Sequence, residues 1–182
     1  MEMVNMEEPK FDYRCGSYNV SKSIKGKFEE VLEQWIEKGF LTLYDEQRFG
    51  PPKCTIPIFP VVQVNKDKIR PVFDFRHINK YVDVYSGNSA VCCEKLRKWR
   101  KKSGKCAMLD LKDAYMQVFV EDEMLPYQTV LYKNKRYALT RMGFGLNVGP
   151  TVKKKIVEKV LSIYSKINQA ADVYIDDIFV EE

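Results

Sequence analysis

Two short stretches place acidic residues at the ends of apolar runs, and they constrain the fold more than any other feature. Residues 106–109 predict a buried strand that ends at Asp110. Residues 171–175 and 178–180 predict two further strands, with Asp176-Asp177 between them as a tight hairpin turn. If the strand that carries Asp110 pairs beside this hairpin, three carboxylates meet at one point.

Three carboxylates packed together repel one another, so a bare cluster is unfavourable or takes up protons. Mg²⁺ removes the repulsion, because it prefers oxygen ligands and is usually held by one or two carboxylates plus substrate phosphates. Two such ions can clamp the attacking and leaving oxygens of a phosphoryl transfer. Either stretch alone is more simply explained as ordinary strand-end or turn aspartates, whereas the two together favour a metal site.

The composition indicates one large domain or two small lobes, since the chain has 182 residues of which 45% are hydrophobic. It contains no run of about 18 apolar residues that would predict a membrane span. The acidic N-terminus lacks the apolar segment of a signal peptide. Five cysteines without a C-x-x-C pair, and a single histidine, argue against a zinc site. We therefore expect reduced thiols and a cytoplasmic protein that is not secreted.

The first part of the chain predicts a flexible lead followed by a packing helix. Residues 1–22 are polar and irregular, whereas apolar residues recur at helical spacing over residues 24–38. Gly39 then fits the position just after a helix end.

A basic hairpin is predicted next. Two β-rich runs, residues 56–64 and 69–75, flank the short polar turn 65–68. Three cations lie at or beside its tip: Lys66, Lys68 and Arg70. They could close over a triphosphate, since arginine offers bidentate phosphate contacts and lysine a point charge. The simpler alternative is a solvated hairpin tip.

The middle of the chain carries a basic run and more β structure. Residues 94–105 hold seven cations around a plausible helix, which is either a solvated face or a track for a phosphate backbone. The alternation in residues 116–120 predicts a strand, and residues 127–132 and 136–140 predict a second hairpin.

A glycine-rich loop, residues 141–150, is predicted to open a long helix with Pro150 in its first turn. Five apolar residues fall on one face of that helix: Val152, Ile156, Val160, Tyr164 and Ile167. Lys153, Lys154 and Lys155 lie near the positive end of the helix dipole, which is unfavourable for the helix and attractive to an anion.

Four motifs follow one another in the chain: Arg70 with Asp74-Phe75-Arg76 and Asn79-Lys80, then Leu109-Asp110-Leu111-Lys112-Asp113-Ala114-Tyr115, then Gly143-Phe144-Gly145-Leu146 with Pro150, and Tyr174-Ile175-Asp176-Asp177. In this order they resemble reverse transcriptases, and more narrowly those of LTR retrotransposons and retroviruses. Ile56-Pro57 and Pro60-Val61-Val62 ahead of Arg70 are similar to the Pao/BEL-like branch. The resemblance covers about residues 28–182.

The resemblance implies an α+β fold, with reverse-transcriptase-like fingers and a ferredoxin-like palm built on an antiparallel sheet. The fingers would occupy residues 23–90, with a helix and a β-hairpin. The palm would occupy residues 91–182, with inserted fingers elements, and would stop after the Tyr-x-Asp-Asp hairpin without a thumb. We therefore expect either a fragment of a retroelement polyprotein, whose remainder supplies the thumb and an RNase H domain, or a truncated open reading frame.

The resemblance also assigns roles to residues. The ligands of two Mg²⁺ ions, for which Mn²⁺ could substitute, would be Asp110, Asp176, Asp177 and the carbonyl of Leu111. The nucleotide would be contacted by Arg70, by Lys66 or Lys68, and by Asp113, Ala114, Tyr115, Phe144 and Gly145. Tyr115 would exclude a 2′-hydroxyl and so select deoxynucleotides, although ordinary core packing would also explain Tyr115 and Phe144. Nucleic acid would be contacted by Arg76 and Tyr174.

The implied function is template-directed DNA synthesis on an RNA or DNA template with a DNA primer, from deoxynucleoside triphosphates, in the cytoplasm or in virus-like particles. One alternative is an inactive remnant that binds nucleic acid through its basic clusters. A more distant alternative is another palm-type nucleotidyl transferase such as an RNA polymerase. Tyr115 argues against that last alternative, because an aromatic gate would exclude ribonucleotides.

Overall fold

The computed structural model describes residues 18–63, 68–82, 97, 99–101, 104–174 and 177–181. Its contacts divide the chain into two compact units, each assembled from two separate stretches. The first unit comprises residues 1–82 and 119–146, and the second comprises residues 83–118 and 147–182. Both combine helices with antiparallel sheet, which agrees with the α+β prediction.

The first unit contains a three-stranded sheet, a two-stranded hairpin and flanking helices. Its elements are α1 (Lys22–Glu37), β1 (Leu41–Leu43), α2 (Glu46–Phe49), β2 (Ile58–Gln63), β3 (Lys68–Phe73), 3₁₀ turns at Ile78–Lys80 and Asp122–Tyr127, β5 (Thr129–Tyr132) and β6 (Lys135–Leu139). The sheet order is β1-β6-β5, and β2 pairs with β3.

Helix α1 confirms the predicted packing helix. Its buried residues, Phe28 and Leu32, are four apart and therefore share one face. Gly39 has φ of 68°, its N–H donates to the carbonyl of Ile36, and the N–H of Phe40 donates to the carbonyl of Trp35. This is a Schellman end, which glycine adopts without the penalty that a Cβ atom brings.

Both predicted hairpins are present. Strands β2 and β3 pair in register from Ile58 opposite Phe73 to Gln63 opposite Lys68. Of the predicted turn 65–68, Lys68 belongs to β3 and the other three residues lie outside the described residues. In the second hairpin, Lys133 and Asn134 have φ of 46° and 58°. Two consecutive positive φ angles form the turn whose twist matches antiparallel strands.

The second unit is a three-stranded antiparallel sheet with two helices. Its elements are β4 (Cys106–Asp110), a 3₁₀ turn at Ala114–Gln117, α3 (Gly149–Leu161), α4 (Ser165–Ala170), β7 (Ala171–Tyr174) and β8 (Asp177–Glu181). The sheet order is β4-β8-β7, so β8 is central and β4 forms an edge. Trp99, from the basic run, stacks on Phe179 of β8 at 4.9 Å and donates its indole N–H to Asp172.

Four local predictions were wrong. Strand β4 forms as predicted but is exposed, with Met108 at 58% and Leu109 at 51%. These two residues point to opposite faces of the sheet, so the described residues cover neither face of β4. No strand forms over residues 116–120: the first two belong to the 3₁₀ turn, which buries Met116, and Phe119 makes only an isolated bridge with Arg141. Asp177 pairs with Tyr174 inside the hairpin, so the turn lies one residue earlier than predicted.

The fourth wrong prediction concerns the helix after the glycine-rich loop. It ends at Leu161, and the apolar face predicted for it is exposed. The buried positions are Gly149 and Lys153 instead. They are four residues apart, so they define a different face of the same helix.

Candidate active site

Asp110 and Asp177 are direct cross-strand partners in the pairing of β4 with β8. Asp110 ends β4 and Asp177 begins β8, so both lie at the same end of the sheet. Side chains of directly opposed residues project from the same face, with Cβ atoms about 4.5–5.5 Å apart. Asp176, the third predicted carboxylate, lies outside the described residues.

This pair has the donor chemistry of a Mg²⁺ site. Among the residues that the structure describes, no group of three or more histidine, cysteine, aspartate or glutamate side chains is placed to hold a metal ion. Two opposed carboxylates are nevertheless sufficient, because Mg²⁺ is commonly held by one or two carboxylates together with water and substrate phosphates. Like charges directly opposite one another destabilise a sheet, and a bound cation would relieve that repulsion.

The segment after Asp110 carries four further predicted site residues. Leu111 is half-buried, and Asp113 is exposed with φ of 51°, a left-handed conformation. Asp113 starts the 3₁₀ turn that buries Ala114 and Tyr115, the latter only 7% exposed. This burial raises the pKa of the Tyr115 phenol. The second unit thus holds Tyr115 five residues beyond one carboxylate of the pair.

Lys153 belongs to the second unit as well, although the sequence predicted only a cation near the positive end of a helix dipole, attractive to an anion. Its side chain is 1% exposed, and its Nζ lies 5.1 Å from the centre of the Tyr115 ring. Burial lowers its pKa, while the charges of Asp177 and Asp110 act in the opposite direction. The i, i+4 spacing of Gly149 and Lys153 could have indicated this buried face of the helix. It was missed because another face of the same helix carries more apolar residues.

In the first unit, Arg70 extends from the exposed side of β3 over an aromatic ring. Its guanidinium carbon lies 5.4 Å from the centre of the Phe144 ring. This joins two predicted nucleotide-binding residues that are 74 positions apart in the sequence. Lys68 begins β3 and is exposed, whereas Lys66 lies outside the described residues.

The loop that carries Phe144 is fixed by glycines and by one amide. A Cβ atom on Gly143 would lie 2.6 Å from the Phe75 ring. Gly145 has φ of +104°, and its Cβ would lie 3.1 Å from the carbonyl oxygen of Phe73. The side-chain amide of Asn79 donates to the carbonyl of Gly145 at 2.8 Å. Only glycine allows this close approach without strain, so the loop is locked beside the end of β3.

The two predicted nucleic-acid contacts have different settings. Arg76 donates to both carboxylate oxygens of Asp74, at 2.8 and 2.6 Å, and to the hydroxyl of Tyr18 at 2.9 Å. The hydrogen bond from Arg76 holds the pKa of Asp74 well below its usual range, against the opposing effect of burial. Arg76 itself stays exposed. Tyr174 is the last residue of β7, directly opposite Asp177.

The comparisons with known proteins agree with these motifs. The family model described as "Reverse transcriptase (RNA-dependent DNA polymerase)" matches residues 58–181, more than half of the chain. The chain is 31% identical over 119 residues to polyprotein P3 of Commelina yellow mottle virus, covering 63% of the chain and 6% of the polyprotein. It is 23% identical over 128 residues to the Gag-Pol polyprotein of Walleye dermal sarcoma virus, covering 70% of the chain and 7% of the polyprotein.

Solved structures share the fold. A foamy viral protease-reverse transcriptase in complex with double-stranded DNA matches 97% of this chain and 28% of its own, with a TM-score of 0.72 and 18% identity. The prototype foamy virus protease-reverse transcriptase matches 92% of this chain and 21% of its own, with a TM-score of 0.75 and 20% identity. These matches confirm the predicted fold class. The chain spans less than a tenth of the curated polyproteins and less than a third of these structures.

Proposed function

The chain belongs to the reverse transcriptase family, and on that premise we propose that it takes part in template-directed synthesis of DNA. The reaction would transfer deoxynucleotides to the 3′ end of a DNA primer on an RNA or DNA template. The observation that carries this proposal is the direct opposition of Asp110 and Asp177 at one end of the second unit's sheet. A foamy viral relative has been solved with an RNA/DNA hybrid, which is the kind of ligand we propose here.

The proposed metal site consists of Asp110 and Asp177, joined by Asp176 and the carbonyl of Leu111. Two Mg²⁺ ions, or Mn²⁺ in their place, would supply charge neutralisation at the transferring phosphoryl group. The protein's own contribution is to hold the carboxylates at a strand end, where a paired backbone fixes their separation.

The proposed nucleotide contacts are the residues that the resemblance predicted. Arg70, with Lys66 or Lys68, would bind the triphosphate, and Phe144 would keep the guanidinium fork of Arg70 oriented. Asp113, Ala114 and Gly145 would also contact the nucleotide, as the motifs predict. Tyr115 would face the sugar, where a bulky ring leaves no room for a 2′-hydroxyl. In this proposal the first unit serves as fingers and the second as palm.

Further contacts to template and primer are proposed for Arg76 and Tyr174. Because Asp74 and Tyr18 hold Arg76 while leaving it exposed, its guanidinium is already oriented for a backbone phosphate. The remainder of a longer polyprotein would supply the thumb and RNase H functions. Membership of the Pao/BEL-like branch stays a prediction.

Primer extension tests the proposal. A DNA primer on an RNA template is incubated with deoxynucleoside triphosphates and Mg²⁺, using this chain and the same residues within a longer polyprotein segment. We expect extension that is abolished by Asp110→Asn and kept by Glu181→Gln, which removes a carboxylate opposite Cys106 on the same two strands. Tight binding of primer–template without extension by either polypeptide would favour the alternative, an inactive remnant that binds nucleic acid.

A further inference from the structure

Lys153 is a buried cation that the proposed chemistry does not use. Lysine is almost never fully buried unless its charge has a partner, and Lys153 is 1% exposed. We propose that Lys153 is a positioning residue for sugar selection, because it holds the ring of Tyr115 in the orientation that excludes a 2′-hydroxyl. This inference rests on the proposed role of Tyr115.

The contact itself is a cation–π interaction inside the second unit. The Nζ of Lys153 lies 5.1 Å from the centre of the Tyr115 ring, within the range of about 6 Å over which such contacts are favourable. Both side chains are buried, so little water competes for the ammonium. Cation–π contacts are stronger when desolvated, so this one restrains the ring more than a surface contact would.

Opposing effects act on the charge of Lys153, and the larger one, burial, lowers its pKa. Burial opposes the charge of Lys153, and the carboxylates of Asp177 and Asp110 support it. The ammonium therefore lies 5.1 Å from the centre of the Tyr115 ring and is also acted on by the charges of Asp177 and Asp110. Through Lys153, the position of the ring is coupled to the carboxylate pair.

Restraint matters because Tyr115 sits on a short turn. The 3₁₀ turn Ala114–Gln117 has only four residues and starts from Asp113 in a left-handed conformation. A steric filter works only if the ring cannot swing aside, since discrimination then comes from a clash and not from a lost contact. Lys153 supplies that restraint from the helix beneath.

Three substitutions separate the charge of Lys153 from its bulk. Lys153→Met removes the ammonium and keeps an unbranched apolar chain, whereas Lys153→Arg keeps a cation. Lys154→Met is the matched control, because Lys154 is the next residue of α3 and pairs with Glu158 at 3.7 Å. Tyr115→Val reports on the gate itself.

The functional measurement is the ratio of the specificity constants for dGTP and GTP in primer extension. We expect Lys153→Met to lower this ratio about twofold to twentyfold, the range that a cation–π contact supports. Lys153→Arg should keep most of the discrimination between dGTP and GTP, and Lys154→Met should keep all of it. In a Tyr115→Val background, Lys153→Met should change the ratio no further, since residues that act together are not additive.

A second measurement needs no catalysis. The chain is labelled with 3-fluorotyrosine, and the ¹⁹F resonance of Tyr115 is assigned from its loss in Tyr115→Phe. We expect Lys153→Met to shift or broaden this resonance, and Lys154→Met to leave it in place. A resonance unmoved by Lys153→Met overturns the inference, whatever the polymerase activity.

The outcomes also separate this inference from the proposed function. If Tyr115→Val lowers the ratio of the two specificity constants and Lys153→Met does not, Tyr115 selects the sugar and the proposed role of Lys153 is wrong. If Lys153→Met changes only the Mg²⁺ concentration needed, Lys153 acts through the aspartates and the inference is equally overturned. If Tyr115→Val leaves the ratio unchanged, the proposed sugar selection fails, and the role of Lys153 in it fails too.

Discussion

Asp110 and Asp177 face each other across one antiparallel pair, at the point where β4 ends and β8 begins. A cation that binds between them binds only the folded chain, so it stabilises that state by mass action. We predict that Mg²⁺ raises the free energy of unfolding, by about 2.7 kcal/mol at a concentration one hundred times its dissociation constant. Thermal and urea unfolding, with Mg²⁺ and with a chelator, measure this.

The control for that prediction lies on the same two strands. Asp177→Asn should lose most of the Mg²⁺-dependent gain, whereas Glu181→Gln should keep it. The comparison is made within each variant, because the nearby charge of Lys153 offsets part of the repulsion between the carboxylates. An equal gain in Asp177→Asn would mean that Mg²⁺ binds elsewhere.

Arg70 provides a test in the first unit. Arg70→Ala removes a guanidinium that lies over the Phe144 ring, and we predict that it weakens deoxynucleotide binding by roughly 1.5–3 kcal/mol, the loss of a charge-assisted contact. Template binding should change less. Titration of dGTP and of primer–template, each followed separately in the extension assay, measures the difference.

The matched control for Arg70 is Arg48→Ala. Arg48 also lies over an aromatic ring of the first unit, that of Phe49 at 4.7 Å, and it pairs with Asp122 at 2.6 Å. The Arg48→Ala substitution should leave the affinity for deoxynucleotides unchanged. Equal effects of both substitutions would show that general stability, and not the triphosphate contact, explains the loss.

The ion pair of Asp74 with Arg76 leads to a prediction about stability at acid pH. Arg76 lowers the pKa of Asp74 in the folded chain, so the ionised carboxylate contributes stability above its unfolded pKa of about 3.9. That contribution is lost as the pH falls further, towards the lowered folded pKa. We predict that unfolding between about pH 5 and pH 2 depends less on pH in Asp74→Asn than in the unchanged chain.

Chemical denaturation across that pH range checks this prediction, with Asp122→Asn as the control. Asp122 is also paired with an arginine, but its side chain is more than half exposed, where ion pairs contribute little. Its substitution should leave the pH dependence almost unchanged. If Asp74→Asn keeps the full dependence, the Arg76 contact does not govern acid stability.

The sequence predicted the elements of the fold well where the signal was local. The start of the helix after the glycine-rich loop, the helix end at Gly39 and the second hairpin each depend on residues close together in the chain. The turn of that hairpin is one residue shorter than predicted, because β6 begins at Lys135. The strand that carries Asp110 was also predictable, because an apolar run that ends at an aspartate is visible without tertiary information. The α+β class came from the resemblance to reverse transcriptases.

The sequence did not predict which face of a helix or strand is buried. Apolar strand β4 was predicted to be buried, yet the described residues leave all five of its positions exposed. Helix α3 has two possible faces, and the one with more apolar residues is exposed while Lys153 is buried. Which face of an element is buried depends on the elements that pack against it, and the periodicity of apolar residues alone cannot identify those elements.

The proposed function requires that Asp110 and Asp177 hold a divalent metal ion. Metal-directed cleavage of the backbone tests this requirement most directly. Mg²⁺ is replaced by Fe²⁺, and peroxide then produces hydroxyl radicals at the bound ion. We predict two cuts, one near residue 110 and one near residues 175–178, competed by Mg²⁺ and absent from Asp110→Asn. Cuts at other positions, or cuts that persist unchanged in Asp110→Asn, would contradict the account.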